Sequence, residues 1–430
     1  MAATLVTSIG LPRSGMYKNI LGALEILGRR LNQGASNVMS GAASLFFNNE
    51  QGLWLDPSDF STLFQDSAGT TPVTAVEQPV GLMLDKSKGL VLGAELVTNG
   101  GFDSGTTGWT QVGGVMSANS GRLRITADGD SAGRAQQPIT CVIGKSYELL
   151  YEKYKGTNTA TNISIAISYG SLTGALFTSS SAIEGAGRAI FVATQTTHYA
   201  LFHGATVTNG LYSEFDNISV RELPGDHGKQ ATSASRPVLK QDTNGKYYLF
   251  FDGVDDSLST AAINFTATDK MTVVAGVRKL SDAVAKVLVE LSVTSDTNNG
   301  SFGIFAPGGT AAPNYVSVLR GTAITNIAST VYASPITNVI SVSLDISGSA
   351  RATEIFPRVN GAIGATVGGG SADAGAGNFG NYPLFIGRRN NTSLPLNGHL
   401  YSLIVRGAQS SDSQIVSAES YVNSKTGAWG

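Results

Sequence analysis

Residues 45–89 are too short to form a domain of their own. They contain about two strand-like runs, at 52–59 and 81–87, and two strands bury too little apolar surface to be stable alone. The strand-rich residues 224–430 would, without further strands, expose strand edges and leave the core of a sandwich unfilled. Joining these two segments removes both deficits, so residues 90–223 are predicted to be a domain inserted into another domain.

The chain is therefore predicted to divide into four segments. The turn Lys86-Ser87-Lys88-Gly89 suits an insertion, because exposed turns with adjacent ends tolerate additional domains. The segments are an N-terminal arm and helix at 1–44, the first part of a sandwich at 45–89, the inserted domain at 90–223, and the remainder of the sandwich with a C-terminal helix at 224–430.

Composition favours many short strands joined by tight turns. Charged residues make up 14% of the chain, well below the roughly 25% of ordinary soluble proteins. The 52 glycines suit turns that need positive φ. Cys141 is the single cysteine, which excludes an intramolecular disulfide, and it is expected to be a small buried residue.

Several kinds of partner and location are not expected. The formal charge of −2 provides no basic surface for nucleic acid. The sequence contains no run of about 18 apolar residues that could span a membrane. The first residues also lack a basic segment followed by an apolar core, so no secretory leader is predicted.

Alternating apolar and polar residues predict half-buried antiparallel strands. In the inserted domain these runs lie at 122–125, 146–152, 163–169, 189–193 and 199–202. In the rest of the other sandwich they lie at 271–278, 287–291, 303–305, 339–345, 383–387 and 396–406. A helix-like run at 411–424 follows, and it is expected to cover a sheet edge or end.

Short motifs in both domains resemble known families of β-sandwich. Asn99-Gly100-Gly101-Phe102 with Trp109, and the closing run 215–220, resemble the first and last strands of jelly-roll carbohydrate-binding modules. The runs at 52–59 and 81–87, with Phe251-Asp252-Gly253-Val254-Asp255-Asp256, resemble concanavalin-like (laminin-G-like) domains, notably those of tailed-bacteriophage tail and fibre proteins. The fold class is therefore expected to be mainly β: two antiparallel β-sandwich (jelly-roll) domains, one inserted in the other, preceded by a short N-terminal α-helical anchor.

The resemblance implies a structural and adhesive virion protein of a tailed phage, such as a fibre, spike, collar or head-decoration subunit. Such a protein is assembled in the host cytoplasm and lies on the particle surface. The implied partners are capsid, collar or tail proteins, bacterial surface glycans, and further copies of the chain, with a homotrimer favoured. Two alternatives stay open: a polysaccharide-degrading enzyme with an accessory carbohydrate-binding module, and a decoration protein that binds no sugar.

A helix is predicted at 16–33. Ile20, Leu24, Leu27 and Leu31 recur at spacings of four, three and four, which places them on one face of a helix. Two interpretations are open for this apolar stripe: it packs on its own chain, or it associates with other copies and serves as an anchor to the particle.

Candidate sugar-binding residues are Tyr154, Trp109, Arg388 and Arg389. Sugars are commonly bound by aromatic ring faces beside hydrogen-bonding polar groups. Tyr154 lies among charges at a predicted strand end, which favours exposure. Trp109 matches a position that is usually core in the resembling families, so a core role is the competing interpretation. The Arg388-Arg389 turn could bind a glycan or a neighbouring subunit, or it could simply be a solvated turn.

No cofactor is required, but a structural calcium ion is a candidate. The resemblance to jelly-roll modules implies calcium ligands near the first and last strands, and Asp103 and Asp216 match those positions. The alternative is that both carboxylates cap turns. Asp252, Asp255 and Asp256 form a second oxygen-rich turn, where ordinary turn chemistry is again the alternative.

Enzymatic activity is not expected. The four histidines have no metal-ligand spacing, and there is no nucleophile elbow or phosphate-binding loop. Glycan hydrolysis usually needs two neighbouring carboxylates, whereas Glu290 and Glu354 have no acidic partner at i+2 or i+4.

Overall fold

The structure is a computed structural model that describes residues 41–430 except 160, 161, 172, 182, 205 and 364–366. The helix predicted at 16–33, with Ile20, Leu24, Leu27 and Leu31, lies outside the described residues. None of the helices in the described part of the chain has the length and apolar character needed to cross a membrane.

The first half of the described chain is built of strands. Two short 3₁₀ helices accompany them, one at Ala43–Phe46 before the first strand and one at Phe60–Thr62 between the first and the second. These strands are β1 (Gly52–Leu55), β2 (Leu63–Phe64), β3 (Leu82–Met83), β4 (Thr110–Val112), β5 (Val115–Asn119), β6 (Arg122–Thr126), β7 (Arg134–Thr140), β8 (Ser146–Tyr154), β9 (Ile163–Ser168), β10 (Phe177–Ser181), β11 (Gly185–Val192), β12 (Thr197–His203) and β13 (Tyr212–Glu222).

The second half continues the pattern, with a 3₁₀ helix at Ser233–Ser235 between its first two strands. Its strands are β14 (Gly228–Lys229), β15 (Val238–Gln241), β16 (Tyr247–Asp252), β17 (Leu258–Asn264), β18 (Lys270–Lys279), β19 (Val287–Leu291), β20 (Ser301–Phe305), β21 (Val316–Arg320), β22 (Ile324–Ala328), β23 (Ile336–Asp345), β24 (Ile355–Val359), β25 (Val367–Gly370), β26 (Asn381–Ile386) and β27 (Asn397–Arg406). Its helices are α1 (Arg351–Glu354) and α2 (Asp412–Thr426).

One sandwich takes strands from both ends of the described chain, and we call it the flanking sandwich. A seven-stranded sheet has the order β15-β16-β27-β18-β23-β24, with β1 paired to β27, and it faces a ten-stranded sheet of order β2-β3-β14-β17-β26-β19-β20-β21-β22-β25. All of these pairs are antiparallel. Leu53, Leu55 and Met83 share one apolar core with residues such as Phe251 and Leu403. The early strands therefore complete a core that is built mostly from the later ones.

The second sandwich lies between these strands in sequence, and we call it the inserted sandwich. Two five-stranded antiparallel sheets, β10-β9-β12-β7-β4 and β11-β8-β13-β6-β5, enclose a separate core. Cys141 is buried there, as the sequence predicts, and its burial raises the pKa of the thiol to about 11. The fold is thus mainly β, with two antiparallel sandwiches, one inserted in the other.

Helix α2 begins and ends with strong capping interactions. The Ser411 hydroxyl accepts the backbone N–H of Gln414 at 3.3 Å, and the Gln414 side chain accepts the Ser411 N–H at 2.9 Å, which forms a capping box. Gly427 ends the helix at φ 62°, a left-handed conformation that costs glycine little. The expectation that this helix covers a sheet edge or end is wrong. It lies across the face of the seven-stranded sheet because its apolar side packs on central strands, in a cluster that includes Val274, Ile404, Ala418 and Val422.

The two sandwiches contact each other through a small apolar cluster. It consists of Phe64, Leu82, Leu84, Ile190 and Leu223. The backbone N–H of Ile190, in the inserted sandwich, donates to the carbonyl of Ala68 in the flanking sandwich at 2.6 Å. The Arg188 guanidinium lies 4.5 Å from the centre of the Phe64 ring. The contact therefore combines apolar burial with one directional hydrogen bond.

The chain passes between the sandwiches twice, at residues 85–89 and 223–227, and one carboxylate joins both passages. Asp85 is fully buried. Its oxygens accept the N–H of Trp54 at 2.7 Å, the N–H and hydroxyl of Ser87 at 2.8 and 2.7 Å, and the N–H of Asp226 at 2.9 Å. Its own N–H donates to Nδ1 of His227 at 3.0 Å. Strand β1 and both passages are thereby fixed to one group.

The Asp226 carboxyl, also at this junction, is harder to ionise than an ordinary aspartate. Burial, followed by the neighbouring charge of Asp85, raises the pKa of Asp226 to about 7, although Lys145 and Lys88 oppose the shift. A carboxyl whose pKa is higher in the folded than in the unfolded state costs stability as the pH rises, because the unfolded chain releases the proton first. Here that loss develops between about pH 4, the usual pKa of an aspartate, and about pH 7.

Replacing this carboxyl tests the junction. Asp226→Asn is expected to raise the free energy of unfolding by about 2 kcal/mol more at pH 8 than at pH 5, because the amide does not ionise. Urea unfolding at the two pH values measures the difference. Asp130→Asn, at an exposed position, is the control and should show no such difference. Equal effects of Asp226→Asn at both pH values would contradict the prediction.

Candidate functional site

The outer face of sheet β11-β8-β13-β6-β5 gathers polar and aromatic side chains. Along β8, Leu149 and Tyr151 point into the core, so the alternation of a strand turns Glu152 and Tyr154 outward. Tyr154 pairs across the sheet with Glu214, and Glu214 pairs with Arg124 on the next strand. Directly opposed side chains in a sheet are close enough to interact. We call Tyr154, Glu214, Arg122, Arg124 and Tyr212 the Tyr154 face.

Two arginine–tyrosine stacks form this face, and one glutamate holds both arginines. The Arg122 guanidinium lies 3.7 Å from the ring centre of Tyr154, and that of Arg124 lies 3.7 Å from the ring centre of Tyr212. Glu214 accepts Nε and Nη2 of Arg124 at 3.0 and 2.7 Å, and Arg122 Nη1 lies 3.5 Å from its other oxygen. The two guanidinium groups are therefore held over the aromatic rings.

The Tyr154 hydroxyl donates to the carboxylate of Glu152, and this bond raises the pKa of the phenol. Glu152, Tyr154, Tyr212 and both arginines of the face are partly exposed. The surface thus combines ring carbon atoms, guanidinium donors and carboxylate acceptors in fixed positions. That combination suits a ligand with apolar C–H faces and many hydroxyl groups.

Trp109 lies in the core of the inserted sandwich. Its side chain is buried, and its ring lies 5.4 Å from Phe102 and 5.3 Å from Phe202, centre to centre. The indole N–H donates to the carbonyl of Asn99 at 3.3 Å. Since neighbouring rings cover it, the geometry favours the core role over a sugar-binding role.

Arg388 and Arg389 belong to the flanking sandwich, so the structure does not group them with Tyr154. Arg389 forms a bidentate pair with Glu290, with both distances 2.9 Å, and a third contact with Asp296 at 2.5 Å. Arg388 donates to the carbonyls of Asp255 and Thr392, each at 3.1 Å. Both guanidinium groups therefore hold the turn after β26, and sugar binding by them stays a prediction.

The two glutamates considered for catalysis are both fully buried. Glu290 also accepts the N–H and hydroxyl of Ser295 at 2.6 and 2.7 Å, which with Arg389 occupies its carboxylate. Glu354 accepts the N–H of Ala374 at 2.8 Å, and burial raises the pKa of its carboxyl. Neither group faces solvent, where a glycan could reach it.

The calcium candidates differ in their surroundings. Asp103 is exposed, and Asp216 accepts the N–H of Asn217 at 2.7 Å. Burial raises the pKa of Asp216, and the charges of Glu152 and Asp103 contribute to the shift. The donors there are all oxygen atoms, which fits calcium chemistry, and binding at this site stays a prediction.

The aspartate turn after β16 brings three carboxylates together. Oxygen atoms of Asp252, Asp255 and Asp256 lie within 4.8 Å of one another. The cluster also makes ordinary turn contacts, because Asp256 accepts the N–H of Asp252 at 3.0 Å and Asp255 accepts the hydroxyl of Ser235 at 2.7 Å. Burial raises the pKa of Asp256 to about 7. The geometry permits either interpretation that the sequence left open.

Sequence reasoning missed four members of the Tyr154 face: Arg122, Arg124, Tyr212 and Glu214. One signal was available, because Arg122 and Arg124 are two residues apart in a predicted strand and so share a face. Their partner Glu214 is 90 residues from Arg124 in sequence. Only the strand register brings these residues together.

Comparisons with known proteins leave the family of this chain undefined. No family model matches it, and no curated protein matches it. Among solved structures, the chain is similar to one described as "CBM4 structure and function". The identity is 17% over 29% of this chain and 99% of that one, at a TM-score of 0.26. It is also similar to the Ruminococcus gnavus IT-sialidase CBM40 bound to α2,3 sialyllactose, with 18% identity over 35% and 83% of the chains, at a TM-score of 0.27.

A third similar structure is the receptor-binding domain of botulinum neurotoxin C/D mosaic serotype. Identity is 10% over 44% of this chain and 47% of that one, at a TM-score of 0.32. The chain thus spans about half the length of that domain. At TM-scores this low, function has to be inferred from the residues of the chain itself.

The calcium hypothesis can be tested by thermal unfolding. If Asp103 and Asp216 hold calcium, adding it to EDTA-treated protein at about 100 times the Kd should stabilise the fold by about 2.7 kcal/mol. Asp216→Asn should abolish the shift in Tm, whereas Asp255→Asn should leave it intact. If Asp255→Asn abolishes the shift in Tm and Asp216→Asn leaves it intact, calcium binds at the aspartate turn instead. If calcium does not change the Tm of the native chain, both sites are rejected.

Proposed function

We propose that this protein is an adhesive, non-enzymatic component of a tailed-phage particle that presents glycan-binding β-sandwiches to the bacterial surface. The observation that carries the glycan-binding part is the Tyr154 face, an open sheet surface on which Glu214 fixes two arginine–tyrosine stacks. The virion part is supported by the motifs that resemble phage fibre proteins.

The Tyr154 face suits uncharged sugar units best. Arg122 and Arg124 are balanced by Glu214 and by Glu152, so the face offers donors and acceptors without a strong net charge. Hydroxyl groups of a sugar can use both kinds of partner, and the edges of the tyrosine rings supply apolar contact. An anionic sugar would meet two carboxylates here and would gain less.

Binding is proposed instead of catalysis because Glu290 and Glu354, the carboxylates considered for hydrolysis, are buried in the flanking sandwich. A glycosidase needs an acid and a second carboxylate on either side of an accessible bond. Incubation with bacterial polysaccharide separates the two functions. The proposal expects no release of new reducing ends, whereas their release would establish the enzymatic alternative.

Weak sites can serve adhesion when many copies act together. Residues 1–44, with the apolar stripe Ile20, Leu24, Leu27 and Leu31, are proposed to attach the protein to capsid, collar or tail proteins or to join copies into a trimer. Linked sites raise overall avidity by orders of magnitude without any new contact. Modest affinity at one Tyr154 face is then enough for attachment of a particle.

Removing the tyrosine ring tests the proposed site. Tyr154→Ala should weaken glycan binding by about 0.5–1.5 kcal/mol per site, the contribution of one aromatic contact beyond its buried area. A glycan array identifies a ligand, and titration calorimetry then compares the variants. Tyr169→Ala is the matched control, because Tyr169 is an exposed tyrosine of the same sandwich on the opposite sheet. Equal binding by both variants would reject the site.

The proposed domain division, 45–89 with 224–430 around 90–223, rests on strand pairing. Strand β1 pairs with β27, and β3 pairs with β14. The two passages between the sandwiches are also adjacent, because the Asp226 N–H donates to the Asp85 carboxylate at 2.9 Å. A short linker can therefore replace the inserted sandwich.

Excision tests this division. A chain in which a short Gly/Ser linker replaces residues 90–223 should unfold cooperatively in urea, because it retains every strand of the flanking sandwich. It should be less stable than the full chain, since Phe64, Leu82 and Leu84 lose the cover of Ile190 and Leu223. A chain beginning at residue 224 should aggregate, because β27 loses its partner β1. Cooperative unfolding of a monomer of 224–430 would contradict the division.

A further inference from the structure

A second aromatic surface lies on the outer face of the seven-stranded sheet in the flanking sandwich. Phe250 on β16 pairs with His399 on β27, and His399 pairs with Arg278 on β18. Tyr248 and Tyr401 flank this row. We call these five residues the His399 face, and none of them belongs to the Tyr154 face.

The rings of the His399 face form one cluster, in which a single pair is stacked and the others meet at an angle. Tyr248 and His399 are parallel within 8°, with their ring centres 3.8 Å apart. Phe250 meets His399 at 5.9 Å, and Tyr401 meets Tyr248 at 5.3 Å. Tyr248 and Tyr401 are buried beneath, whereas Phe250 and His399 are partly exposed. The surface therefore offers ring atoms of Phe250 and His399 to solvent.

Positive charge lies beside these rings. Arg278 forms no ion pair with any described residue, and its one hydrogen bond runs from Nη1 to the Thr337 hydroxyl at 3.2 Å. Lys240 lies 4.9 Å from the ring centre of Phe250, and its ion pair is with the largely exposed Glu77 at 3.2 Å. Arg278 is thus a partly buried cation whose remaining donors are available.

Acidic groups near the face do not neutralise Arg278. Asp242 forms no ion pair with Arg278, and it accepts the Tyr401 hydroxyl at 3.4 Å and the N–H of Lys246 at 2.9 Å. Burial, followed by the charge of Arg278, lowers the pKa of His399 to about 4, with Lys240 adding to the shift and Asp242 opposing it. Two of these three neighbouring charges, those of Arg278 and Lys240, are positive.

We propose that the His399 face is a binding site for an acidic carbohydrate, whose carboxylate pairs with Arg278 while its ring packs against Phe250 and His399. Arginine binds a carboxylate in a planar, bidentate manner when its donors are free. The small aromatic surface fits the apolar side of one sugar unit. This site is independent of the Tyr154 face and takes a different class of ligand.

A purely structural role would account for the ring stack but not for Arg278. Cross-strand aromatic pairs stabilise sheets by themselves, and the one hydrogen bond of the Arg278 side chain to a described residue is that to Thr337. Arg278→Gln keeps a donor near Thr337 and removes the charge. It therefore separates ligand binding from sheet stability.

The experiment uses the full chain and a galacturonic acid hexamer at low salt, with the fully methyl-esterified hexamer as the neutral matched ligand. In the Tyr154→Ala chain, which weakens the face proposed for uncharged sugars, titration calorimetry should show binding of the acidic hexamer and at least tenfold weaker binding of the ester. Arg278→Gln should reduce affinity for the acidic hexamer about tenfold without lowering Tm. Arg320→Gln is the control and should bind like the native chain, because Arg320 is a partly exposed arginine on the other sheet and has no ion pair with a described residue.

Several outcomes would overturn the proposal. These are absence of binding at millimolar hexamer, equal binding of acid and ester, or equal losses in Arg278→Gln and Arg320→Gln. A hexaglutamate peptide that binds as tightly as the hexamer and needs Arg278 would reassign the face to acidic peptides. Tyr154→Ala should leave hexamer binding unchanged, and a loss in that variant would place the hexamer on the Tyr154 face instead.

Discussion

The buried carboxylate of Asp85 is the interaction on which the two-sandwich arrangement depends. The chain must leave one sandwich, build another and return, and both passages lie beside Asp85. Four hydrogen bonds to its oxygens fix strand β1 through Trp54, the outgoing passage through Ser87, and the returning passage through Asp226. Because an unpaired buried carboxylate is costly, these donors have to stay in place. Asp85 therefore keeps strand β1 and the two passages in this arrangement.

A fixed junction has consequences for binding. The hydrogen bond from Ile190 to Ala68 and the apolar cluster around Phe64 add contacts between the sandwiches beyond the two passages. Ordering flexible parts at the moment of binding reduces affinity, so a joint that is already ordered preserves the small binding energy of each surface. In the adhesive role proposed here, which relies on many weak sites, this matters as much as the contacts within one site.

Much of the fold follows from local patterns in the sequence, whereas the binding face does not. Period-two alternation predicts strands such as 122–125 and 146–152, and the helix-like run at 411–424 corresponds to the last helix, Asp412–Thr426. The expectation of a sheet edge or end for that helix is wrong, because the apolar side of a helix does not reveal which surface it meets. The Tyr154 face depends on register, which pairs Arg124 with Glu214 across 90 residues. Cross-strand partners distant in sequence are set by the whole sheet and not by any local run.

Low charge content makes the remaining charges informative. With 14% charged residues, most arginines of the sandwiches are paired: Arg124 with Glu214, Arg389 with Glu290, and Arg406 with Glu50. Pairing is the reason why uncharged sugars are proposed for the Tyr154 face, although it contains two guanidinium groups. Arg278, like Arg320, has no ion pair with a described residue, but Arg278 lies among aromatic rings with a hydroxyl as its hydrogen-bond partner. A partly desolvated cation without a counter-ion among the described residues gains most from an external carboxylate, and this contrast is the reason why different ligands are proposed for the two faces.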